Sequence, residues 1–277
     1  MTRRIDSHQH YWQIARGDYG WMPESGPLVR DYFPADLRLH NQAADFEGTI
    51  VVQAAPTLAE TEFMLKLAGQ PDSMILGVVG WVDLDDAASM RRLETLANNP
   101  RLVAVRPMIQ DLAEDDWVLR PQVIESLRRL PELGLRFDLL SLPRHLPHAY
   151  EALSQIPELD IVIDHLSKPH YQQGVEADDW RMWMGKFAEL PRVHCKLSGM
   201  VTEVGEGWSM ADFRAHAGFV LDAFGPERVM FGSDWPVCLL AATHAQVVDL
   251  ASQLTAHLTD EQQADVWGLT AARFYGI

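Results

Sequence analysis

The stretch LDIVIDH at residues 159–165 shows how this chain is built. Its centre is a short, continuous apolar run rich in β-branched residues, which is typical of a strand buried on both faces of a parallel sheet. Polar side chains follow at once where the run ends. A second run, GTIVVQ at residues 48–53, has the same form and ends on an amide. Both patterns predict buried strands with polar groups at their carboxyl ends.

Eight such runs recur along the chain, with helical patterns between them. Strands are predicted near residues 4–8, 48–54, 75–82, 101–107, 134–140, 159–165, 192–198 and 228–234. Apolar residues at helical spacing predict helices at 58–69, 88–97, 120–130, 148–155, 178–190, 210–224, 241–257 and 260–274. This alternation predicts an α/β fold, a (β/α)8 TIM barrel, as a single domain over residues 1–277. A doubly wound open sheet is the alternative, but the sequence contains no Gly-rich phosphate loop to support it.

The composition excludes several classes of protein. The 277 residues carry a formal net charge of -16, which disfavours nucleic acid and anionic membranes as partners. The two cysteines form neither a disulfide framework nor a CxxC zinc motif. The N-terminal residues contain no apolar h-region and no stretch approaches about 18 apolar residues, so we expect neither a secretory signal nor a membrane-spanning segment. We therefore expect a cytoplasmic enzyme with a small-molecule substrate, and the sequence leaves its oligomeric state open.

Two segments far apart in the chain carry the chemistry of a hydrolytic site. In RIDSHQH, residues 4–10, His8 and His10 are two positions apart and point to the same face of a strand. In MFGSDWP, residues 230–236, Asp234 stands where the last apolar run stops. The carboxyl ends of the strands form the active face of a TIM barrel, so these three side chains should meet there. The alternative is a merely exposed or hydrogen-bonded histidine pair.

Most of the other predicted strand ends are also polar or aromatic. They carry Gln53, Trp81, Asp83, Arg106, Asp138, Asp164, His165, Lys196 and Ser198. Arg106 and Lys196 have a structural alternative, which is a buried ion pair with Asp138. Asp164 precedes His165 directly, so strand alternation predicts that it points to the opposite face as a structural partner.

The connection at residues 11–34 is long for a barrel and rich in aromatic residues, including Tyr11, Trp12 and Trp21. Long connections over the active face are usually functional, so we expect a lid or a pocket wall. A packed Ω-loop is the alternative.

Six short motifs together resemble one family. They are HQH at 8–10, VVQ at 51–53 leading to Pro56, VRP at 105–107, DHLSKP at 164–169, CKLSG at 195–199 and FGSDWP at 231–236. With these motifs the whole chain resembles the amidohydrolase-2 branch of the amidohydrolase superfamily, and within it the sugar-lactonase group, which opens L-fucono-, L-rhamnono- or galactono-type lactones. Two departures are Ser167, where a glycine is expected, and Thr270, where the family usually has asparagine.

The resemblance implies a metal site. By matching position, His8, His10, His165 and Asp234 would hold one divalent cation, for which zinc is suitable. Arg106 stands on the fourth strand and cannot ligate a metal, which argues against a two-metal site. Arg106 and Lys196 also add positive charge to the pocket. The resemblance therefore leaves open whether activity requires the ion.

The resemblance also implies roles in catalysis. Asp234 would be the general base that activates water, and zinc, or else His165, Arg106 or Lys196, would polarise the ester carbonyl. The residues expected to orient sugar hydroxyls are Gln53, Trp81, Lys168, Lys196 and Trp235, and those expected to shape the wall are Tyr11, Trp12 and Trp21. A decarboxylase or a hydratase of aromatic-degradation acids in the same branch is the enzymatic alternative. A catalytically silent barrel used for binding is the non-enzymatic one.

Overall fold

The computed structural model describes residues 3–277 and contains one eight-stranded parallel sheet in the order β1 to β8. The strands are β1 Ile5–Gln9, β2 Gly48–Val52, β3 Ile75–Gly80, β4 Leu102–Val105, β5 Arg136–Leu139, β6 Ile161–Ile163, β7 Val193–Leu197 and β8 Val229–Phe231. The first and last strands meet where the Asp234 amide donates to the His8 carbonyl at 2.8 Å and the His10 amide donates to the Trp235 carbonyl at 2.7 Å. The predicted TIM barrel is therefore confirmed.

Helices cover the outside of this barrel. They are α1 Pro34–Ala43, α2 Leu58–Ala68, α3 Ala87–Leu96, α4 Pro121–Arg129, α5 Leu146–Leu153, α6 Trp180–Ala188, α7 Met200–Val204, α8 Met210–Phe224, α9 His244–Thr255, α10 Asp260–Ala264 and α11 Thr270–Tyr275. The sequence analysis missed α1 and α7. It also predicted one helix over 260–274, whereas a π-helical turn separates α10 from α11.

Close packing explains the glycine in that π-helical turn. A Cβ on Gly268 would collide with the backbone carbonyl of Arg3, so the last helices approach the first strand only because this side chain is absent. The side chain of Thr270, the second departure from the family pattern, then reaches the carbonyl of Pro226 at 3.3 Å.

The core has an outer layer between strands and helices and a smaller inner cluster within the barrel. The inner cluster includes Ile5, Val52 and Val79 and is closed by Phe274 and Tyr275 of α11. Both cysteines are buried and unpaired, as the sequence suggests. Within residues 3–277, no helix is both long and apolar enough to cross a membrane.

Candidate active site

Three histidines and one aspartate meet at the carboxyl end of the barrel. Asp234 Oδ1 lies 3.2 Å from His10 Nε2, 3.8 Å from His8 Nε2 and 4.0 Å from His165 Nε2. All four residues are at least nine-tenths buried. The structure thus brings together the four residues that were predicted as metal ligands, although they come from the first, sixth and last strands.

The surroundings of His10 test whether a cation fits this cluster. Its Nδ1 lies 2.7 Å from the backbone carbonyl of Val52, which can only accept, so Nδ1 carries the proton. His10 Nε2 therefore faces Asp234 Oδ1 at 3.2 Å, and both atoms are of a kind that can ligate a cation. Ligand atoms of a tetrahedral zinc ion lie about 3.3 Å apart, so the residues present fit a divalent ion.

A left-handed turn places His165 in the site. Residues 165–168 have φ values of 54°, 53°, 56° and 49°, although none is a glycine. Each such residue costs roughly 1–2 kcal/mol, which is typical of backbone strain at functional sites. The turn directs His165 Nδ1 to Ser198 Oγ at 2.8 Å and leaves Nε2 facing Asp234. Ser167 adopts the left-handed conformation that a glycine would favour, and its hydroxyl lies 2.8 Å from that of Ser141.

Gly199 leaves the space that the imidazole of His165 occupies. Its φ is +68°, and a Cβ at this position would collide with the ring of His165. This close approach accounts for the glycine in the CKLSG motif.

The structure corrects the prediction for Asp164. Because β6 ends at Ile163 and the chain turns at once, strand alternation no longer applies, and both Asp164 and His165 point into the barrel. Asp164 Oδ1 lies 3.0 Å from Lys196 Nζ, and its Oδ2 accepts a hydrogen bond from Arg106 at 3.2 Å. Asp164 is a structural partner, as expected, but of the two buried cations beneath the site.

These cations form a buried charge network with Asp138. Lys196 donates to Asp138 Oδ2 at 2.5 Å, and the hydroxyl of Tyr275 donates to the same oxygen at 2.8 Å. The structural alternative is therefore confirmed for Lys196. For Arg106 the predicted partner is wrong, because Arg106 pairs with Asp164 instead. Both cations are almost fully buried, so their charges are compensated within the barrel.

His8 belongs to the histidine–aspartate cluster and also contacts this charge network. Its Nδ1 is 3.4 Å from Asp164 and 3.2 Å from Lys196, and its Nε2 is 3.3 Å from the Arg106 guanidinium. Burial holds the pKa of His8 well below its ordinary value, so the ring is neutral. His8, His10 and Asp234 each bring a ligand atom within 4.8 Å of the other two, so they are the closest set of candidate ligands. Arg106 competes with a cation for the lone pair of His8 Nε2.

The electrostatics of the site keep Asp234 ionised and His165 neutral. Burial acts to raise the pKa of Asp234, but His165, His10 and His8 outweigh it and lower the pKa far below the usual carboxyl range. Burial lowers the pKa of His165 to about 4. At neutral pH, Asp234 is therefore a carboxylate and His165 is an uncharged imidazole.

A cavity of about 210 Å³ opens above these residues. The predicted site residues that line it are His10, Trp21, Arg106, Lys168, His165 and Asp234. The lining residues that sequence analysis missed include Gln110, Asp111, Thr202 and Glu203. They lie on the connections after β4 and β7, whose paths carry no periodic signal. The one available clue was that Thr202 and Glu203 lie three and four residues after the end of the CKLSG motif.

The remaining predicted substrate-binding residues lie behind the cavity wall. Gln53 donates its amide to the Arg106 carbonyl at 2.8 Å, and Trp81 bonds Thr61 through its backbone. Lys196 is enclosed in the charge network. The residues packed in an aromatic cluster are Tyr11, Trp12 and Trp235, with Tyr32 between the last two. The structure does not bring these side chains to the cavity.

The long connection at residues 11–34 contributes one side of the cavity through Trp21, whose indole donates to the Ala54 carbonyl at 2.6 Å. Buried Glu60 at the start of α2 anchors it, because its carboxylate accepts hydrogen bonds from Tyr19 and from the Ala54 amide, both at 3.0 Å. The connection therefore forms a wall held by the next strand-to-helix turn.

Comparison with known proteins places this geometry in a family. The amidohydrolase family model matches residues 5–277. Two proteins named L-fucono-1,5-lactonase, from Burkholderia ambifaria and Burkholderia multivorans, are 37% and 36% identical to this chain. The alignments cover 100% and 99% of this chain and 97% and 96% of those proteins.

Solved structures agree with this assignment. Two crystal structures of an amidohydrolase from Burkholderia multivorans, one with bound HEPES and one with bound zinc, superpose with TM-scores of 0.91 and 0.89. Each is 36% identical, and each alignment covers 99% of both chains. With a family match along almost its whole length, a TIM barrel and the histidine–aspartate cluster, this chain belongs to the amidohydrolase family.

Proposed function

We propose that this protein is a lactonase that hydrolyses a sugar lactone, of which an L-fucono-1,5-lactone type is the first candidate. The observation that carries the proposal is an ionised aspartate facing three imidazoles at the floor of the cavity. The relatives named L-fucono-1,5-lactonase supply the substrate class. The cytoplasmic location and the exclusion of nucleic-acid and membrane partners stay predictions.

Asp234 is the proposed general base. Its carboxylate takes a proton from a water molecule as that water attacks the lactone carbonyl. The low pKa of Asp234 means that it is already deprotonated throughout the neutral range. Asp234 then returns the proton to the ring oxygen as the ester C–O bond breaks. The product is the open-chain hydroxy acid, whose new carboxyl group releases a proton to solvent.

The negative charge that develops on the carbonyl oxygen needs a stabilising group. Arg106 lines the cavity with a permanent positive charge and is held in place by Asp164 and the Gln53 carbonyl. His165 can contribute when Ser198 donates to its Nδ1, because Nε2 then carries the proton.

A divalent ion, for which zinc is our proposal, would be held by His8, His10 and Asp234, with His165 facing the same carboxylate, and would supply Lewis-acid polarisation of the carbonyl. If His165 ligated the ion through Nε2, its Nδ1 would carry the proton and donate to Ser198 Oγ. The donor set fits the ion, while the buried cations Arg106 and Lys196 beside His8 oppose it.

The charges of the cavity favour a neutral substrate over an acid. Its lining carries the cations Arg106 and Lys168 against the carboxylates Asp111, Glu203 and Asp234. An aromatic-degradation acid would bring its own carboxylates into a wall that is already net negative. An uncharged sugar lactone meets no such repulsion.

A pH-indicator assay on purified protein tests the proposal. The panel contains L-fucono-, L-rhamnono- and L-galactono-lactones, each assayed with and without prior chelation. We expect acid release that Asp234→Asn reduces by roughly 10²–10⁴-fold, in a variant that still unfolds cooperatively. Asp222→Asn, on the exposed face of α8, is the matched control. Absence of acid release from every lactone would refute the proposal and favour decarboxylation or hydration of an unsaturated acid. Activity that survives chelation would make the ion dispensable.

A further inference from the structure

The two sides of the cavity wall differ in polarity. Going around the barrel, the connections after β4, β6 and β7 contribute the polar arc, defined as Gln110, Lys168, Thr202 and Glu203, although Met108 and Leu140 add apolar surface on the same side. The connections after β8, β1 and β2 contribute the apolar arc, defined as Trp21, Ala54, Val237 and Leu240. Because the strands follow one another in order around the barrel, the two arcs lie across the cavity from each other.

An ion pair dominates the polar arc. Lys168 Nζ lies 2.8 Å from Glu203 Oε1, and the two side chains are 17% and 26% exposed. Lys168 belongs to the left-handed turn after β6, and Glu203 belongs to α7. A partly exposed ion pair of this kind contributes little to stability, about 0–1 kcal/mol. Stability therefore does not explain why the pair is placed at the cavity.

Two side-chain oxygens of the polar arc, Gln110 Oε1 and Thr202 Oγ1, have no hydrogen-bond partner within residues 3–277. Both atoms have almost no surface open to the cavity, so a ligand reaches them only after a side-chain rotation. The polar groups that a ligand meets directly are those of the ion pair. The pair offers both a donor and an acceptor, which is what adjacent hydroxyl groups require.

We propose that the Lys168–Glu203 pair determines substrate specificity by hydrogen-bonding two adjacent hydroxyl groups of the lactone. Glu203 accepts from one hydroxyl and Lys168 donates to the other, while the apolar arc contacts the edge of the ring that bears hydrogen atoms or a methyl group. This inference rests on the proposed lactonase function and assigns the orientation of the substrate within that site.

The test compares a hydroxylated lactone with one that has no hydroxyl groups. L-Fucono-1,5-lactone and δ-valerolactone share a six-membered ester ring, and δ-valerolactone is measured as a competitive inhibitor if it is not hydrolysed. We expect Glu203→Gln and Lys168→Met each to lower kcat/KM for the sugar lactone by about 10- to 100-fold, mainly through KM. The loss for δ-valerolactone, in kcat/KM or in the inhibition constant, should be at least fivefold smaller.

Glu206→Gln is the matched control, because Glu206 is exposed on the same connection and does not line the cavity. Equal losses for both lactones, or no loss for the sugar lactone, would overturn the role of the pair while leaving the lactonase in place. A wild-type protein that hydrolyses no sugar lactone would overturn the proposed function and this inference together.

Discussion

The floor and the mouth of the site each contain a lysine paired with carboxylates, and the two lysines differ in almost every other respect. At the floor, Lys196 has no exposed surface and contacts both Asp138 and Asp164. At the mouth, Lys168 is partly exposed, and within residues 3–277 the carboxylate that it contacts is that of Glu203. Strand ends within the barrel fix the first lysine, and connections fix the second. The comparison suggests that the floor holds the fold and the base together, while the mouth is free to select the substrate.

Replacing the floor lysine should give the largest loss of stability. Lys196→Met leaves Asp138 with only Tyr275 as a partner and Asp164 with Arg106 and His8, all without contact to solvent. Breaking a buried pair in this way costs about 3–5 kcal/mol, which urea unfolding would measure. Adding Asp138→Leu should recover part of that loss. If Lys196→Met unfolds at the wild-type urea concentration, the floor does not carry the stability that we assign to it.

Glu60 anchors the connection at residues 11–34, and its contribution to the stability of the protein should depend on pH. Burial raises the pKa of Glu60 to about 7, although the Ala54 amide, Tyr19 and Arg16 oppose the shift. The folded protein therefore binds this proton more tightly than the unfolded chain. Its contribution to stability is complete below pH 4.5 and is lost as pH rises through about 7. The loss is on the order of 3 kcal/mol.

Glu60→Gln removes this titration. Its free energy of unfolding relative to wild type should therefore rise between pH 5 and pH 8. The control is Glu62→Gln, on an exposed position of the same helix. A stability difference that stays constant over this pH range would mean that Glu60 is ionised in the folded protein throughout.

The backbone strain in the left-handed turn at residues 165–168 predicts a smaller effect on the free energy of unfolding. Glycine at position 167 relieves roughly 1 kcal/mol of strain, but it also removes the hydroxyl contact to Ser141. In a Ser141→Ala background only the first effect remains. Ser167→Gly should then raise the free energy of unfolding by about 1 kcal/mol in urea titrations. A decrease in that background would show that the surrounding contacts, and not the backbone, set the energy of the turn.

Replacing Lys168, the lysine at the mouth, should have the smallest effect on stability. Lys168→Met removes a partly exposed ion pair, so the free energy of unfolding should change by less than about 1 kcal/mol. The same side-chain replacement then costs several times more at the floor than at the mouth. Similar losses at both positions, measured under the same conditions, would remove the distinction between the two regions.

The sequence predicted the floor well for a physical reason. Buried strands need continuous apolar runs, so Ile161–Ile163 marked both a strand and the polar residues that follow it. Prediction failed where that periodicity stops. Asp164 turns inward because the chain leaves the strand immediately before it, and Glu203 lies on a five-residue helix too short to show a pattern. The separation of the cavity into two arcs depends on the paths of several connections, which no local pattern encodes.

The hydrogen bond between the Asp234 amide and the His8 carbonyl couples the closure of the barrel to the assembly of the site. The backbone hydrogen bond that joins the two residues closes the barrel and also brings the base to its histidines. A chain that ends before residue 234 lacks both the backbone contact that closes the barrel and the carboxylate that faces the histidines. Under the proposed function, turnover therefore requires that the first and last strands have met.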